Sequence, residues 1–224
     1  MLATGWDSNK IPTMSSHTVG KQADWEKEIP SEWNIFQRLA SKTHGILTPG
    51  NVITVLGAVT VTSGLIDIHR GETRKGTYKV GAGRLLDILD GIVADITKTK
   101  SPLGEALDAS MDKLVMFGIL RTLYKKEVIN KETYRQILRQ NLANVAITGA
   151  AKLIDAEIHP SIEGKHTMLC QGASLGLYSL ARANEEEGNM ERAKELELGA
   201  QIFELAAMKL GQAATDGYMQ DLVA

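Results

Sequence analysis

The sequence predicts an all-α protein, and three observations carry that expectation. Acidic residues recur at helical spacing: Asp87 and Asp90 stand three apart and Asp108 and Asp112 four apart, so each pair stacks on one face of a helix. Residues 45–66 carry no charge, a run long enough to cross a bilayer, which takes about 20 apolar residues. Apolar side chains also recur at helical intervals near both ends, as Trp33, Phe36, Leu39 and Ala40 and as Leu198, Ile202, Leu205 and Leu210.

Taken in order, residues 1–44 read as a polar N-terminal segment that ends in an amphipathic helix. Residues 1–31 mix charges with Pro12 and Pro30 and show little periodicity, the composition of a loose segment. No basic stretch followed by an apolar core opens the chain, so no signal peptide is expected. Residues 32–44 fit either a helix lying on a bilayer surface or an ordinary packing helix. Six helical segments then fall within 45–215, at 45–66, 77–96, 104–124, 134–153, 167–183 and 194–214, with 216–224 as a tail. The polar stretch Thr97-Lys98-Thr99-Lys100-Ser101-Pro102 reads as a turn. So short a turn makes the helices on either side antiparallel and lets the two acidic pairs converge. The apolar stripe of the last segment marks it as a helix that could cover the surface of a bundle, and Asn184-Glu185-Glu186-Glu187-Gly188-Asn189 before it is a solvated turn.

Hydropathy alone gives a simpler answer, one membrane span and a helical domain. Mean hydropathy is −0.12, and charges such as His69-Arg70-Gly71-Glu72-Thr73-Arg74-Lys75 interrupt the other apolar stretches. Helices that line a polar cavity nevertheless carry charges legitimately. A chain of 224 residues can bury a substantial core as one domain. Its formal charge of −2 offers no basic excess for nucleic acid. Cys170 is the single cysteine, which excludes an intrachain disulfide or a cysteine metal cluster and suits a buried small apolar position.

The four aspartates are the chemical feature of the chain. Like charges held together repel, and here Leu85, Leu86, Ile88, Leu89, Ile92 and Val93 surround them. Carboxylates in that setting need a partner, and Mg²⁺ and Mn²⁺ prefer carboxylate oxygen. Gly91 and Ala94 follow Asp87 by one and two turns on its face, and Gly104 precedes Asp108 by one. A face of Asp, Gly and Ala leaves room for a metal-bound phosphate ester against the backbone.

Asp87-x2-Asp90-Gly91-x2-Ala94, then Gly104-x3-Asp108-x3-Asp112, resembles the signature of the CDP-alcohol phosphatidyltransferases, D-x2-D-G-x2-A-R, eight residues, G-x3-D-x3-D. Seven of its eight fixed positions match, and the departure is Asp95 in place of Arg. That exchange removes a cation beside a diphosphate site and adds an anion, so that another base, Lys98 or Lys100, takes over or activity weakens. Thr48-Pro49-Gly50-Asn51-Val52-Ile53-Thr54 is similar to the family's P-N-x-x-T opening with one Gly inserted. Ser101-Pro102-Leu103-Gly104, Lys113, and Gly164-Lys165-His166-Thr167 with Gln171 resemble the phosphatidylglycerophosphate synthase branch. The resemblance fades after Gln171.

The resemblance implies a six-helix transmembrane-type bundle in the cell membrane, multi-pass, with the active site facing the cytoplasm. On that orientation the loop around Arg70, Arg74, Lys75 and Lys79 lies outside, against the positive-inside tendency. It implies transfer of a phosphatidyl group from CDP-diacylglycerol to an alcohol, glycerol 3-phosphate foremost, with release of CMP and dependence on Mg²⁺ or Mn²⁺. Asp87, Asp90, Asp108 and Asp112 become the metal set, with Asp112 also the general base. Gly91, Ala94, Gly104, Asn51 and Thr54 become contacts of the CDP moiety, and Lys165 and Arg121 anchors for the acceptor phosphate; either cation also fits a helix-end side chain snorkelling to an interface. A homodimer in a lipid bilayer is implied as well. Asp95 and the polar outer faces motivate an alternative, a silent relative or a polar-surfaced, soluble version of the fold kept for binding or assembly. A soluble enzyme holding a prenyl diphosphate through paired acids is a third reading, though such enzymes carry a denser aspartate run.

Overall fold

In a computed structural model, residues 35–43, 45–100, 102–153 and 161–223 are described, and they form seven helices and no strand. The expectation of a loose 1–31 lies outside them. The short α1 (Ile35–Lys42) precedes six long helices: α2 (Pro49–His69), α3 (Thr73–Thr97), α4 (Pro102–Lys125), α5 (Lys131–Leu153), α6 (Ile162–Glu186) and α7 (Met190–Val223). The all-α expectation therefore holds, and each of the six segments read from the sequence falls on one long helix. The last differs most, because α7 runs on to Val223 through the segment read as a tail.

Local chemistry sets the helix ends. Thr48 caps α2 by accepting from the Asn51 amide at 3.1 Å, and Pro49 occupies the first turn, where its missing N–H costs nothing. The basic run that interrupts the apolar pattern is the α2–α3 connection and the first turn of α3. Its turn needs Gly71 at φ +91°, a conformation that side chains with a Cβ rarely adopt. Lys75 pairs with Glu72 at 2.6 Å, which raises its ammonium above the usual lysine range. At the other end of α3, Lys98 closes the helix in the left-handed region with φ +54°.

Packing pairs neighbours in sequence. α2 lies chiefly against α3 and α6 against α7, with α2 also on α4 and α3 on α6. The α2–α3 contact is a close backbone approach. A Cβ placed on Gly64 would meet the Gly76 carbonyl oxygen at 2.6 Å, and one on Gly83 would meet the Gly57 carbonyl oxygen at 2.7 Å. No side chain larger than hydrogen fits at these crossings, the small-residue packing common between membrane helices. Val61, Ile68, Met116, Leu120, Leu123, Ile137 and Leu175 fill the core around this pair.

The α6–α7 contact corrects the reading of the last helix. Ala193, Ala200, Ala207 and Ala214 recur every seven residues and form its buried face. The Leu198, Ile202 and Leu205 stripe faces outward instead, with Ile202 61% exposed against 0% for Ala200. Alanines win the interface because they let two helix backbones come close, which bulkier side chains prevent. Ser174 Oγ donates to the Ala200 carbonyl at 2.9 Å across the same seam, and Tyr178 OH donates to Glu204 at 2.6 Å. Cys170 is half-buried on α6.

Only α2 among the described helices is long and apolar enough to cross a membrane, so composition does not by itself establish a six-span bundle. The outer surface is apolar in stripes, however. Val52, Val55, Leu56 and Val59 on α2 and Leu85, Ile88, Leu89 and Ile92 on α3 are all exposed, as are Phe36 and Leu39 on α1.

Gly64→Leu should separate α2 from α3 and lower stability by about 1–3 kcal/mol or more, the usual range for overpacking. Gly81→Ala, where an added Cβ meets no atom within 4 Å, should leave the thermal midpoint of the detergent-solubilised chain nearly unchanged. Comparison of the two midpoints checks the expectation.

Candidate active site

The C-terminal part of α3, the N-terminal part of α4 and the start of α2 meet at one end of the helices. Carboxylate oxygens of Asp87, Asp90 and Asp108 lie there within 4.8 Å of one another. Helical spacing aligns Asp87 with Asp90, and the turn through Lys98 brings Asp108 across from them. Asp90 is 5% exposed, and Thr54 on α2 donates to its Oδ2 at 2.5 Å. That bond fixes one carboxylate and leaves the other two facing the opening.

Asp112 lies one turn beyond Asp108 and takes a different partner. Arg84 Nη1 stands 2.7 Å from Asp112 Oδ1 and 3.1 Å from Asp87 Oδ2. One guanidinium nitrogen thus spans acids of two helices. Sequence reasoning passed over Arg84; the signal was its position three residues before Asp87, on the same helical face.

Three cavities meet these acids. The first, of about 220 Å³, is lined by Thr48, Gly50, Asn51, Thr54, Asp90, Gly91, Ala94, Thr99, Lys100, Gly104 and Asp108. All five residues expected to contact a CDP moiety are therefore brought together. A Cβ on Gly91 would meet no protein atom within 4 Å, so the space beside it is open to a ligand. Asn51 is less free than expected, since its side-chain amide donates to the Gly45 and Ile46 carbonyls at 3.0 Å each. Its amide nitrogen braces the turn before α2.

The second cavity, of about 190 Å³, lies between α4, α5 and the N-terminus of α6. Asp112, Lys113, Asn141, Asn144, Gly164 and Lys165 are among its lining residues. Ser161 caps α6 by accepting from the Gly164 amide at 3.0 Å, so the positive end of a helix opens here beside Lys165. The third, of about 1030 Å³, runs between α3, α4 and α6 and is mostly apolar, with Arg84, Asp87, Asp108, Asp112 and Lys165 at its polar end. Arg121, expected to help hold an acceptor, is exposed on α4 and lines none of the three. It lies more than two turns past Asp112, and that rise carries it down the helix away from the acids.

Asp95 does not face the acids either. It pairs with Lys100 at 2.7 Å, and Lys100 lines the 220 Å³ cavity. Gln171, a residue of the branch-like motif, is buried and donates to Gln140 Oε1 at 2.8 Å. Asn141 donates to it in turn at 3.2 Å, so Gln171 joins α5 to α6.

A helical protein with three convergent carboxylates, a small cavity of polar and small side chains on one side of them and a larger apolar one on the other has the parts of a metal-dependent enzyme acting on an amphiphile. Comparison with protein families gives the specific result: residues 47–209 match the model of the CDP-alcohol phosphatidyltransferase family. The match spans most of the chain, and the protein belongs to that family. Comparison with curated proteins and with solved structures gave no match. Family members transfer phosphatidyl groups in phospholipid synthesis and are generally dependent on a divalent metal, and the donor set here fits one: hard, oxygen-only and anionic.

Thr54→Val should leave Asp90 without its donor and weaken Mn²⁺ binding by about tenfold, the effect commonly seen when a group supporting a metal ligand is lost. Thr54→Ser should retain most of the affinity. Titration with Mn²⁺ followed by electron paramagnetic resonance distinguishes them.

Proposed function

We propose that this protein transfers a phosphatidyl group from CDP-diacylglycerol to a small phosphorylated alcohol, glycerol 3-phosphate foremost, releasing CMP. The observation that carries the reading is the placement of the acid cluster at the junction of three cavities. One is small, lined by polar and small side chains, and suits a nucleotide, one is flanked by Lys165 and a helix N-terminus and suits an acceptor phosphate, and one is apolar and suits acyl chains.

In this reading Asp87, Asp90 and Asp108 hold the metal, Asp112, expected as a fourth member of that set, lies one turn beyond them as the base, and Gly91, Ala94, Gly104, Asn51 and Thr54 line the CDP site. Held by these carboxylates, Mg²⁺ or Mn²⁺ would supply positive charge to offset that of the diphosphate. Asp112, which lines both the acceptor and the apolar cavity, takes the proton of the attacking alcohol. The alcohol oxygen bonds to the lipid-side phosphorus, the bond from that phosphorus to the bridging oxygen breaks, and CMP departs with the electron pair. Lys165 holds the acceptor phosphate. Lys100, pulled in by Asp95, supplies the cation that the motif's Arg otherwise brings to the nucleotide side.

Residues 45–215 act as the catalytic domain and integrate into the membrane as a multi-pass bundle, with the site on the cytoplasmic face and homodimer assembly. The exposed apolar stripes on α2, α3 and α7 support membrane integration, since a water-soluble chain rarely leaves such surfaces bare. Exposure of Ile35, Phe36 and Leu39 on α1 supports a helix lying on the bilayer surface. Resemblance around Ser101, Lys113 and Lys165 supports the phosphatidylglycerophosphate synthase branch.

CMP release from CDP-diacylglycerol with Mn²⁺, assayed against glycerol 3-phosphate, inositol phosphate, serine and no acceptor, tests the reading. Release dependent on glycerol 3-phosphate is expected, and dependence on serine alone would overturn the acceptor class. Asp112→Asn should abolish transfer while CDP-alcohol binding stays within about threefold, because removing a general base commonly costs 10²–10⁴ in rate. Lys165→Ala should raise KM for the acceptor by about tenfold or more, the scale of a lost charge-assisted bond, with KM for CDP-diacylglycerol little changed.

A further inference from the structure

We propose that Arg84 is a positioning residue of this site, a built-in counter-cation that orients Asp112 and competes with the divalent ion at Asp87. The inference rests on the phosphatidyltransferase reading for its role in turnover. Its geometric basis is the single Nη1 nitrogen held 2.7 Å from Asp112 and 3.1 Å from Asp87.

Three features separate this contact from an ordinary surface pair. First, Arg84 and both partners are largely sheltered, with side chains 28%, 22% and 21% exposed, so solvent screens the interaction less than at an open surface. Second, the pairing joins two helices, α3 to α4, at the level of the acid cluster. It ties together Asp87, a member of the metal-ready trio, and Asp112, which lies outside that trio. Third, the cation expected at position 95 is replaced by Asp95, which pairs with Lys100 on the nucleotide side. Among the described ion pairs, Arg84 is the cation that reaches any of the four aspartates, and it reaches two of them, Asp87 and Asp112.

The consequence follows from charge and valence. Four carboxylates without a cation repel one another and splay, and one guanidinium offsets part of that repulsion while leaving the cluster anionic. A divalent ion bound by Asp87, Asp90 and Asp108 needs an oxygen of Asp87, and Arg84 Nη1 sits against Oδ2 of that residue. Ion loading weakens the Arg84–Asp87 contact and leaves the guanidinium on Asp112. The carboxylate proposed as base is then held in one orientation, facing the cavity that also contains Lys165. Arginine suits this task better than lysine, because its guanidinium stays charged when sheltered and is more weakly hydrated than an ammonium.

The test uses the full chain in detergent micelles with Arg84→Gln and Arg84→Lys. Titration with Mn²⁺ in the absence of substrate is read by electron paramagnetic resonance. Arg84→Gln should bind Mn²⁺ about tenfold more tightly, the scale on which a nearby opposite charge acts on a carboxylate, and Arg84→Lys should stay within about threefold of the unsubstituted chain. At saturating Mn²⁺, Arg84→Gln should turn over about tenfold more slowly with KM for CDP-diacylglycerol little changed, and Arg84→Lys or added guanidinium should restore part of the rate. Unchanged Mn²⁺ affinity in Arg84→Gln overturns the competition at Asp87. Loss of rate that neither Arg84→Lys nor guanidinium restores overturns the positioning role and marks a folding contact. If the unsubstituted chain releases no CMP, the transferase reading fails, and the substrate-free titration still decides whether Arg84 competes with the ion.

Discussion

The direct contact of two helix backbones, α2 on α3, is the constraint on which the rest of this protein depends. Gly57 and Gly64 face Gly83 and Gly76 so closely that a methyl group at Gly64 or Gly83 would overlap a carbonyl oxygen of the facing helix. With no side chain to hold the helices apart, residues near the start of α2 come within hydrogen-bonding reach of those near the end of α3. Thr54 then reaches Asp90, and Gly50 abuts Ala94. One wall of the 220 Å³ cavity thus depends on glycines farther along both helices. A looser crossing would leave Asp90 buried without its donor, an unfavourable state for a carboxylate.

Charge is arranged by depth along the helices. The acid cluster, Arg84 and Lys165 occupy one end. At the other, Asp67 pairs with Lys79 at 2.6 Å, and Arg74 pairs with Glu187 at 2.6 Å to tie α3 to α6. Between the ends, helices are joined by uncharged bonds such as that from Ser174 Oγ to the Ala200 carbonyl at 2.9 Å. The flanks carry exposed valine, leucine and isoleucine. Many charges among the described residues thus sit at helix ends and turns or face the cavities, while others, such as Arg139 on α5 and Lys209 on α7, are exposed along the helices.

The α6–α7 pair repeats the principle of α2 and α3 with alanine in place of glycine. Ala193, Ala200, Ala207 and Ala214 make a narrow seam, and the larger apolar residues of α7 point away from it. In water, bulky residues would seek the core and alanines would tolerate the surface. Where the outer medium is itself apolar, close backbone approach and dispersion decide the interface instead. On α7 the alanine seam, and not the amphipathic stripe, is the buried face.

By itself the sequence determined the helical class, the six long segments and the acid cluster, because helical spacing and a short turn bring Asp87, Asp90 and Asp108 together whatever else the chain does. It also determined the cavity of Gly91, Ala94 and Gly104, since small residues on the faces of those acids leave space wherever the helices meet. Only the tertiary structure decided which other side chains join them. Arg84 spans Asp87 and Asp112, Asn51 turns back to brace its own loop, Lys100 pairs with Asp95 and lines the 220 Å³ cavity, and Arg121 stays outside. Spacing along one helix fixes which residues share a face. Which face meets which neighbour, and how closely, is settled by the crossing of two helices, and that depends on contacts between residues far apart in the chain.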